Sequence, residues 1–324
     1  MCLRAAPAAM LFLAAAAAQA QGWKPERAVE IVVGSTPGGA LDRTARLLLK
    51  VIQERKLVEQ PATILNKPGG SGALGLAYLA QHPGDGHYTM IIGQALLTNH
   101  IMGRSALDYT DFTPLAILNV EYVSLAVRAD SPLRGAKDVI ERLKKDPGAL
   151  SVAVGTGVGS ATQTAFAHAM FVAGVDAKKL RQVTFGSGGE SMAALLGGHV
   201  DATSSPVSSV IEQMRAGRIR LVAVSAPRRM PGDLAEVPTW TELGVKSSVD
   251  VWRALTGPKG LSGAQIAYWE GVASRAVKDR EWMKELERSV SEAGYKGGAE
   301  TLKHWQVEYA EMKALYTALG LAKQ

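Results

Sequence analysis

The chain has 324 residues, of which 47% are hydrophobic and 20% charged, and its formal net charge is +6. At roughly 100 to 200 residues per domain this length favours two domains, and the apolar content excludes an intrinsically disordered chain. Lys and Arg never run longer than pairs and aromatic residues make up only 6% of the chain, so the positive charge does not predict nucleic-acid binding.

The first twenty residues have the pattern of an export signal. Arg4 is followed by an apolar run at 5–18, and Ala18-Gln19-Ala20 matches a signal-peptidase site. We expect cleavage after Ala20 and not a retained anchor, because a membrane span needs about 20 apolar residues and this run is shorter. The single cysteine, Cys2, lies in the removed segment, so a mature chain would form no disulfide. The predicted location is the periplasm of a Gram-negative cell.

From residue 29 onward, short apolar runs alternate with helical patterns, which is typical of parallel sheets with crossover helices. Leu41, Ala45, Leu48 and Ile52, for example, recur with the spacing of one helix face. The first predicted series is strand 31–33, helix 41–52, strand 62–65, helix 73–80 and strand 88–92. The second is strand 123–127, helix 136–144, strand 150–154, helices 160–173 and 191–196, strand 200–203, helix 207–216 and strand 219–224. The fold class is therefore α/β, with two α/β domains in tandem.

The C-terminal third is predicted to be mainly helical. One stripe of apolar residues at alternating spacings of three and four favours a helix that docks on a domain: Leu302, Trp305, Tyr309, Met312, Tyr316 and Leu319. No linker rich in Pro, Gly or Ser divides the two halves, which indicates tightly coupled domains.

Two glycine-rich loops each lead from a predicted strand into a predicted helix. They span residues 34–39 and 155–160, one in each half of the chain. Glycine lets a ligand approach the backbone closely, and the free N–H groups of a helix start favour an anion. A carboxylate held between two domains would satisfy both loops, although each loop could also be no more than a tight turn.

Asp42 lies three residues into the first of these helices. Its carboxylate would complement the positive end of the helix dipole. It could equally accept a hydrogen bond from a ligand hydroxyl, a ligand amine or a bridging water. The sequence leaves both roles open.

Enzyme motifs are incomplete. Residues 70–75 match G-x-G-x-x-G, but a turn precedes them and no acidic residue lies near position 95, so a dinucleotide site is not predicted. No G-x-S-x-G occurs, and the six histidines lack metal-ligand spacing. An exported hydrolase that uses Ser160 or Ser187 of the glycine-containing loops remains the alternative from another functional class.

Seven short motifs follow one another from about Trp23 to the C-terminus. They are Pro37-Gly38-Gly39-x-x-Asp42, Ala45-Arg46, Asn66-Lys67-Pro68-Gly69-Gly70, Pro83-Gly84-Asp85-Gly86, Gly197-Gly198-His199-Val200-Asp201, Arg215-Ala216-Gly217-Arg218-Ile219-Arg220 and Val237-Pro238-Thr239. This series resembles that of the Bug-type extracytoplasmic solute receptors of tripartite tricarboxylate transporters. The resemblance implies a two-lobed periplasmic binding protein of type II topology that is not an enzyme and needs no cofactor or metal. It also implies that the lobes close on a small organic acid and present it to the permease subunits of a membrane transporter.

The resemblance also implies ligand-binding positions in both lobes. They fall on Thr36, Pro37, Gly38, Gly39, Asp42, Gly93, Gln94, Gly157, Ser160, Thr162, Ser187 and Ser205. Ser35, Ala161, Ser205 and the Phe185-Gly186-Ser187-Gly188 element depart from the family pattern, which leaves the identity of the acid open.

We expect lobe 1 to comprise residues 23–121 and 227–324, and lobe 2 to comprise 122–226. Two crossing strands, near 122–127 and 221–224, would form the hinge. In the expected capture, the amides of Gly38, Gly39 and the Ser160 turn bind carboxylate oxygens, and Asp42 orients the ligand through water. A monomer is expected, and a receptor that signals to a membrane sensor is the second alternative.

Overall fold

The computed structural model of the chain describes residues 22–155, 159–185 and 188–323. The predicted signal peptide and its cleavage site lie outside the described residues, as do the predicted site residues Gly157 and Ser187. In the described part of the chain, no helix combines the length and the apolar character that a membrane crossing requires.

The first lobe begins with three parallel strands. Its elements are β1 (Val29–Val33), α1 (Ala40–Glu54), β2 (Ala62–Asn66), α2 (Ala73–Leu79), β3 (Tyr88–Ile92) and α3 (Ala95–Ile101). β1 lies between β2 and β3 and is parallel to both. Ile31 packs in the same cluster as α1, and its neighbour Val32 packs in the cluster that contains α2. Helices therefore cover both faces of the sheet, which is why its central strand is apolar without alternation.

One long strand, β4 (Phe112–Arg128), belongs to both halves of the molecule. Its residues 112–122 pair with β9 (Asp250–Pro258), and its residues 123–128 pair with β7 (Ala202–Pro206) and β8 (Ile219–Val224). β4 therefore passes from the first half of the sheet into the second.

The second lobe repeats the α/β pattern. Its elements are α4 (Ala136–Lys145), β5 (Ser151–Val154), α5 (Ala161–Val172), β6 (Arg181–Thr184), α6 (Gly188–Leu196), β7 (Ala202–Pro206), α7 (Val207–Arg215) and β8 (Ile219–Val224). β5 is parallel to β6 and to β7. The chain then returns through β9 to the first lobe.

The chain ends in α8 (Gly263–Ala276), α9 (Arg280–Ser289), the short strand β10 (Lys296–Gly297) and α10 (Gly298–Ala318). The strand order is β2-β1-β3-β9-β4-β7-β5-β6, so the returning strand β9 is inserted between β3 and β4. This confirms the predicted α/β, two-lobed fold of type II topology. Trp305, Met312 and Tyr316 of the predicted apolar stripe are buried, so α10 packs on the rest of the protein as expected.

Sequence reasoning missed α3, β6 and β9 and placed β7 two residues early. α3 follows β3 after only two residues, and the apolar run of β7 continues as the small polar pair Ser204-Ser205. Short elements and polar buried strands carry too little periodicity to be recognised from sequence alone.

The lobe boundaries stay a prediction, and the contacts of one segment support a change to them. Val224 pairs with Thr239, and Trp240 and Val245 pack in the core of the second lobe. Asp250, at the start of β9, lies opposite Tyr122 of β4. We therefore propose that the second crossing lies near Asp250 and that residues 227–249 belong to the second lobe.

Candidate functional site

The parallel strands of both lobes end at the middle of β4. The last residue of β3, Ile92, pairs with Ala254, which pairs with Ile117 of β4. The last residue of β7, Pro206, pairs with Val123 of β4. The carboxyl ends of the two sets of strands therefore face one another, and in open α/β sheets ligands bind outside those ends.

The two lobes touch at this place. The Thr98 hydroxyl of α3 donates a hydrogen bond to the Gly159 carbonyl oxygen at 3.2 Å. Gly159 has a φ of +84°, and a Cβ added there would overlap Cε of Met102 in the first lobe. A side chain at position 159 would therefore be strained and would force the end of the Met102 side chain to move.

Asp42 holds the first loop together from inside. It is completely buried, and its Oδ2 accepts hydrogen bonds from the Gly38 amide at 2.8 Å and from Nε of Arg46 at 2.7 Å. Its Oδ1 accepts from Nδ2 of Asn66 at 2.9 Å. Burial alone would raise the pKa of Asp42, but these hydrogen bonds and the Arg46 charge outweigh burial and lower it.

This arrangement bears on the expected roles of three residues, which stay predictions. The carboxylate of Asp42 is occupied by protein donors. The Gly38 amide donates to Asp42, and the Gly39 amide donates to the Thr36 carbonyl oxygen at 3.3 Å. The amides at 40–42, in the first turn of α1, have no protein acceptor within the described residues.

The remaining positions of the first loop lie at the surface. Thr36, Pro37 and Gly38 are exposed, and Gly38 has a φ of +80° that favours glycine. Arg43, one turn into α1, donates to the Gly38 carbonyl oxygen at 2.8 Å and forms no ion pair among the residues described. An exposed guanidinium thus lies beside the loop.

The second loop is also fixed by its own helix. Ser160 caps α5, because its Oγ accepts from the Gln163 amide at 3.4 Å. The Gly155 amide donates to the Thr162 hydroxyl at 2.8 Å, and the Gly159 amide donates to Oε1 of Gln163 at 2.6 Å. The amides of residues 161 and 162 have no protein acceptor in the described part of the chain.

Ser160, the nucleophile of the alternative exported hydrolase, has no base among its hydrogen-bond partners in the described residues. Oγ of Ser160 lies 3.3 Å from the Thr162 hydroxyl and accepts from the Gln163 amide. No histidine is among its hydrogen-bond partners in the described residues. The geometry at Ser160 is that of a helix cap.

Two further predicted site residues have internal partners. The Gln94 amide nitrogen donates to the Asp250 carbonyl oxygen at 2.8 Å and to Oε1 of Glu308 at 2.5 Å. The Ser205 hydroxyl lies 2.9 Å from that of Thr203 and is buried. Both side chains are held by hydrogen bonds to other protein groups.

Gly93 lies at the end of β3 and begins the turn into α3. Its carbonyl oxygen accepts a hydrogen bond from the Leu96 amide at 3.0 Å. A Cβ at Gly93 would lie 3.3 Å from the Trp252 carbonyl oxygen, so the turn passes close to β9.

A buried ion pair that sequence reasoning missed spans the hinge strands. Nη2 of Arg253 in β9 lies 2.8 Å from Oε2 of Glu121 in β4, and their side chains are 8% and 2% exposed. Oε1 of Glu121 accepts from the Ser208 amide of α7 at 3.2 Å. One carboxylate therefore connects both crossing strands to the second lobe.

A cavity of about 570 Å³ lies beside this ion pair. Its walls come from α1 and α9 of the first lobe, from α7 of the second lobe and from the hinge strands. Arg43, Asn119, Glu121, Ser208 and Arg253 are among the lining residues. The space between the lobes therefore continues along the flank of the hinge.

Arg46 and Asn66 hold the carboxylate of Asp42, a role that sequence reasoning did not assign to them. Both occur in the motifs Ala45-Arg46 and Asn66-Lys67-Pro68-Gly69-Gly70, so a signal was present. It could not be interpreted because the partner that they share, Asp42, is 24 residues from Asn66 in the chain.

The comparisons with known proteins agree with this fold. The model of the tripartite tricarboxylate transporter receptor family matches residues 46–321. A UPF0065 protein from Cupriavidus necator is 29% identical over 98% of this chain and 96% of its own length.

Solved structures extend the similarity. A TctC solute-binding protein from Polaromonas is 26% identical, with a TM-score of 0.76. The similarity covers 90% of this chain and 99% of that protein. A Rhodopseudomonas palustris protein solved with adipate is 25% identical, with a TM-score of 0.79. The similarity covers 92% of this chain and 99% of that protein. These neighbours are solute-binding proteins and not enzymes, as the sequence indicates for this chain. The chain belongs to the tripartite tricarboxylate transporter receptor family of periplasmic solute-binding proteins.

Proposed function

We propose that this protein captures a small organic acid between its lobes and delivers it to the permease of a tripartite tricarboxylate-type transporter. One observation carries the proposal. The first turns of α1 and α5 come from different lobes, follow parallel strands whose carboxyl ends point toward the middle of β4 from opposite sides, and have amides without protein acceptors among the described residues. Two such helix starts suit the carboxylate oxygens of one anion.

The capture differs from the sequence expectation in which groups bind the acid. The amides at 40–42 and 161–162 take the place of those of Gly38 and Gly39, because the glycine amides already have protein acceptors. The negative charge of Asp42 is paired with Arg46 and does not repel the anion. The exposed guanidinium of Arg43 adds a positive charge beside α1.

The adipate-bound relative supports the chemical class of the ligand. A dicarboxylate would use one helix start in each lobe. It would therefore bind most tightly when the lobes are close together, and contacts across the cleft such as Thr98 to Gly159 would form at the same time. Binding and closure would be a single equilibrium.

The remaining parts of the proposal concern location and partners. Export with cleavage after Ala20, residence in the periplasm, a monomeric state and docking to membrane permease subunits are part of the same proposal. The predicted signal supports export, and family membership supports the periplasmic location and the permease partner. A receptor that serves a membrane sensor would use the same cleft. Binding to purified permease subunits, with and without acid, separates the two roles.

Calorimetric titration tests the capture. The panel is malate, succinate, adipate, citrate and benzoate, with adipamide as an uncharged control of matched shape. We expect at least one acid to bind and to raise the melting temperature, since a ligand at about 100 times its Kd adds about 2.7 kcal/mol of stability. Adipamide should not bind. Absence of binding by every acid, or equal binding of adipamide and adipate, would contradict the proposal.

A further inference from the structure

The largely buried carboxyl group of Glu308 on α10 contacts the turn that begins α3. Oε1 of Glu308 accepts from the Gln94 amide nitrogen, and its Oε2 accepts from Nε1 of Trp252, both at 2.5 Å. The same Gln94 nitrogen donates to the Asp250 carbonyl oxygen at the start of β9. Glu308 thus connects α10, the turn at 93–95 and the second crossing between the lobes.

The position of Gln94 determines how α3 begins. Its carbonyl oxygen accepts from the amides of Leu97 at 2.9 Å and Thr98 at 3.0 Å, so Gln94 starts the helix. Thr98 is the residue whose hydroxyl reaches Gly159 in the second lobe. Moving Gln94 would therefore move the contact that α3 makes across the cleft.

The same helix that carries Glu308 also contacts the second lobe. Tyr316, about two turns further along α10, has its hydroxyl 2.6 Å from that of Thr164 in α5. The Thr164 hydroxyl in turn donates to the Ser160 carbonyl oxygen at 3.0 Å. α10 therefore holds a residue at the start of α3 and a residue at the start of α5.

We propose that Glu308 is a positioning residue for anion capture: it holds Gln94 so that α3 meets the second-lobe loop, and its neutral form supports capture while its ionised form opposes it. The inference rests on the proposed function, because it concerns the affinity for an organic acid. The Glu308 side chain is 12% exposed, and its Oε2 lies 3.5 Å from Nε2 of His304.

The titratable groups around Glu308 determine how its ionisation affects anion binding. A cavity of about 190 Å³ beside it is lined by titratable groups from α5, α10, β4 and β9: His168, His304, Glu311, Tyr122 and Asp250. Lys296 of β10 contacts His304. Burial, followed by the neighbouring Asp250, raises the pKa of Glu308 to about 8. Ionisation above that pH adds a negative charge to a buried region that already holds a carboxylate, and this charge repels an anion in the cleft.

The test compares the affinity of three variants with wild type at about pH 7 and about pH 9. The probe is whichever of malate, succinate, adipate, citrate and benzoate wild type binds most tightly, and all of these acids are already ionised at the lower pH. Glu308→Gln keeps the shape and removes the titration, and Glu308→Leu removes the acceptor of Gln94. Glu311→Gln is the control, because it changes a carboxylate lining the same cavity that has no hydrogen bond to Gln94.

We expect wild type and Glu311→Gln to bind about tenfold more weakly at the higher pH. Glu308→Gln should bind like wild type at the lower pH and should lose the pH dependence, whereas Glu308→Leu should bind about tenfold more weakly at both. If the pH dependence of Glu308→Gln follows that of wild type, or if a folded Glu308→Leu protein has wild-type affinity, this inference is wrong. The proposed function would still stand. If wild type binds none of the acids, the proposed function fails and this inference fails with it.

Discussion

At the scale of single residues, the carboxylate inside the first loop has a structural task. Asp42 satisfies a backbone amide, a guanidinium and a side-chain amide at once, and all three belong to the first loop or its supports. Removing an acceptor that is shared in this way breaks the hydrogen bonds of all three donors at once, and each of those bonds is made to a charged acceptor.

We predict that Asp42→Ala lowers the free energy of unfolding by about 2–4 kcal/mol. Glu54→Gln, at the exposed end of the same helix, should change it by less than about 0.5 kcal/mol. Urea denaturation of both variants checks this. An Asp42→Ala protein as stable as wild type would show that the hydrogen bonds around Asp42 do not hold the loop.

The lowered pKa of Asp42 also predicts a pH dependence. The folded state binds this proton less readily than the unfolded state, so the stability contributed by Asp42 is present above its unfolded pKa, near 3.8, and is lost as the pH falls through the folded value. Wild type should therefore lose more stability than Asp42→Asn on acidification below about pH 4. Denaturant unfolding at several acidic pH values measures the difference, and parallel curves for the two proteins would rule it out.

We also predict that Gly159→Ala weakens acid binding more than it weakens the fold. Its φ of +84° strains an alanine, and the added Cβ would meet Met102 of the other lobe. Gly174→Ala is the matched control, because Gly174 has a φ of +82° in the same lobe and nothing within 4 Å of an added Cβ. Both variants should lose about 1–2 kcal/mol of stability. Only Gly159→Ala should lose affinity in titration, and equal affinities would argue against contact of the lobes at this point.

At the scale of elements, α10 is the helix that joins the two lobes. Trp305 is fully buried against Trp252 of β9, at 5.7 Å between ring centroids, which fixes α10 on the first lobe. Its C-terminal half reaches α5 through Tyr316 and Thr164. A helix fixed at one end and bonded across the cleft at the other responds to closure.

We therefore predict that Tyr316→Phe reduces affinity for the acid about five- to tenfold, since a lost hydrogen bond costs about 1 kcal/mol. Tyr309→Phe removes a comparable hydroxyl contact on the same helix, at 2.7 Å from Nδ1 of His100 within the first lobe. Both variants should lose similar stability, and only Tyr316→Phe should lose affinity. Titration calorimetry distinguishes them. A similar loss of affinity in both variants would show that the contact of Tyr316 with α5 is not specifically required for binding.

At the scale of the whole molecule, the two lobes share one sheet and a buried ion pair at its centre. Glu121 and Arg253 lie in the two hinge strands, and Glu121 also accepts from the Ser208 amide of the second lobe. A buried pair of this kind contributes little net stability when intact, because both charges have lost their hydration. Breaking it leaves one charge unpaired in the interior.

We predict that Glu121→Leu and Arg253→Met each lower the free energy of unfolding by about 3–5 kcal/mol and that the double variant is more stable than either. A double-mutant cycle from denaturant unfolding measures the coupling. Additive losses would show that the two side chains do not act as a pair.

How much the sequence predicts follows from how local each signal is. The strand and helix of residues 29–54 are predictable because Ile31, Leu48 and Ile52 repeat with the periods of the elements they form. The two glycine loops are predictable for the same reason, since each lies between a strand and a helix. The roles of Asp42 and Gln94 are not, because their partners Asn66 and Glu308 come from distant parts of the chain.

The sequence by itself determined the α/β fold, the order of most of its elements, the two glycine loops and the receptor family, all of which depend on local periodicity and on motifs in fixed order. Only the tertiary structure decided which amides remain free, that Asp42 supports the loop from inside, and that Glu308 lies behind Gln94. The physical reason is that a hydrogen-bond donor or acceptor is free or occupied according to what packs against it. In this protein, packing joins Gln94 to Glu308, which are 214 positions apart in the chain.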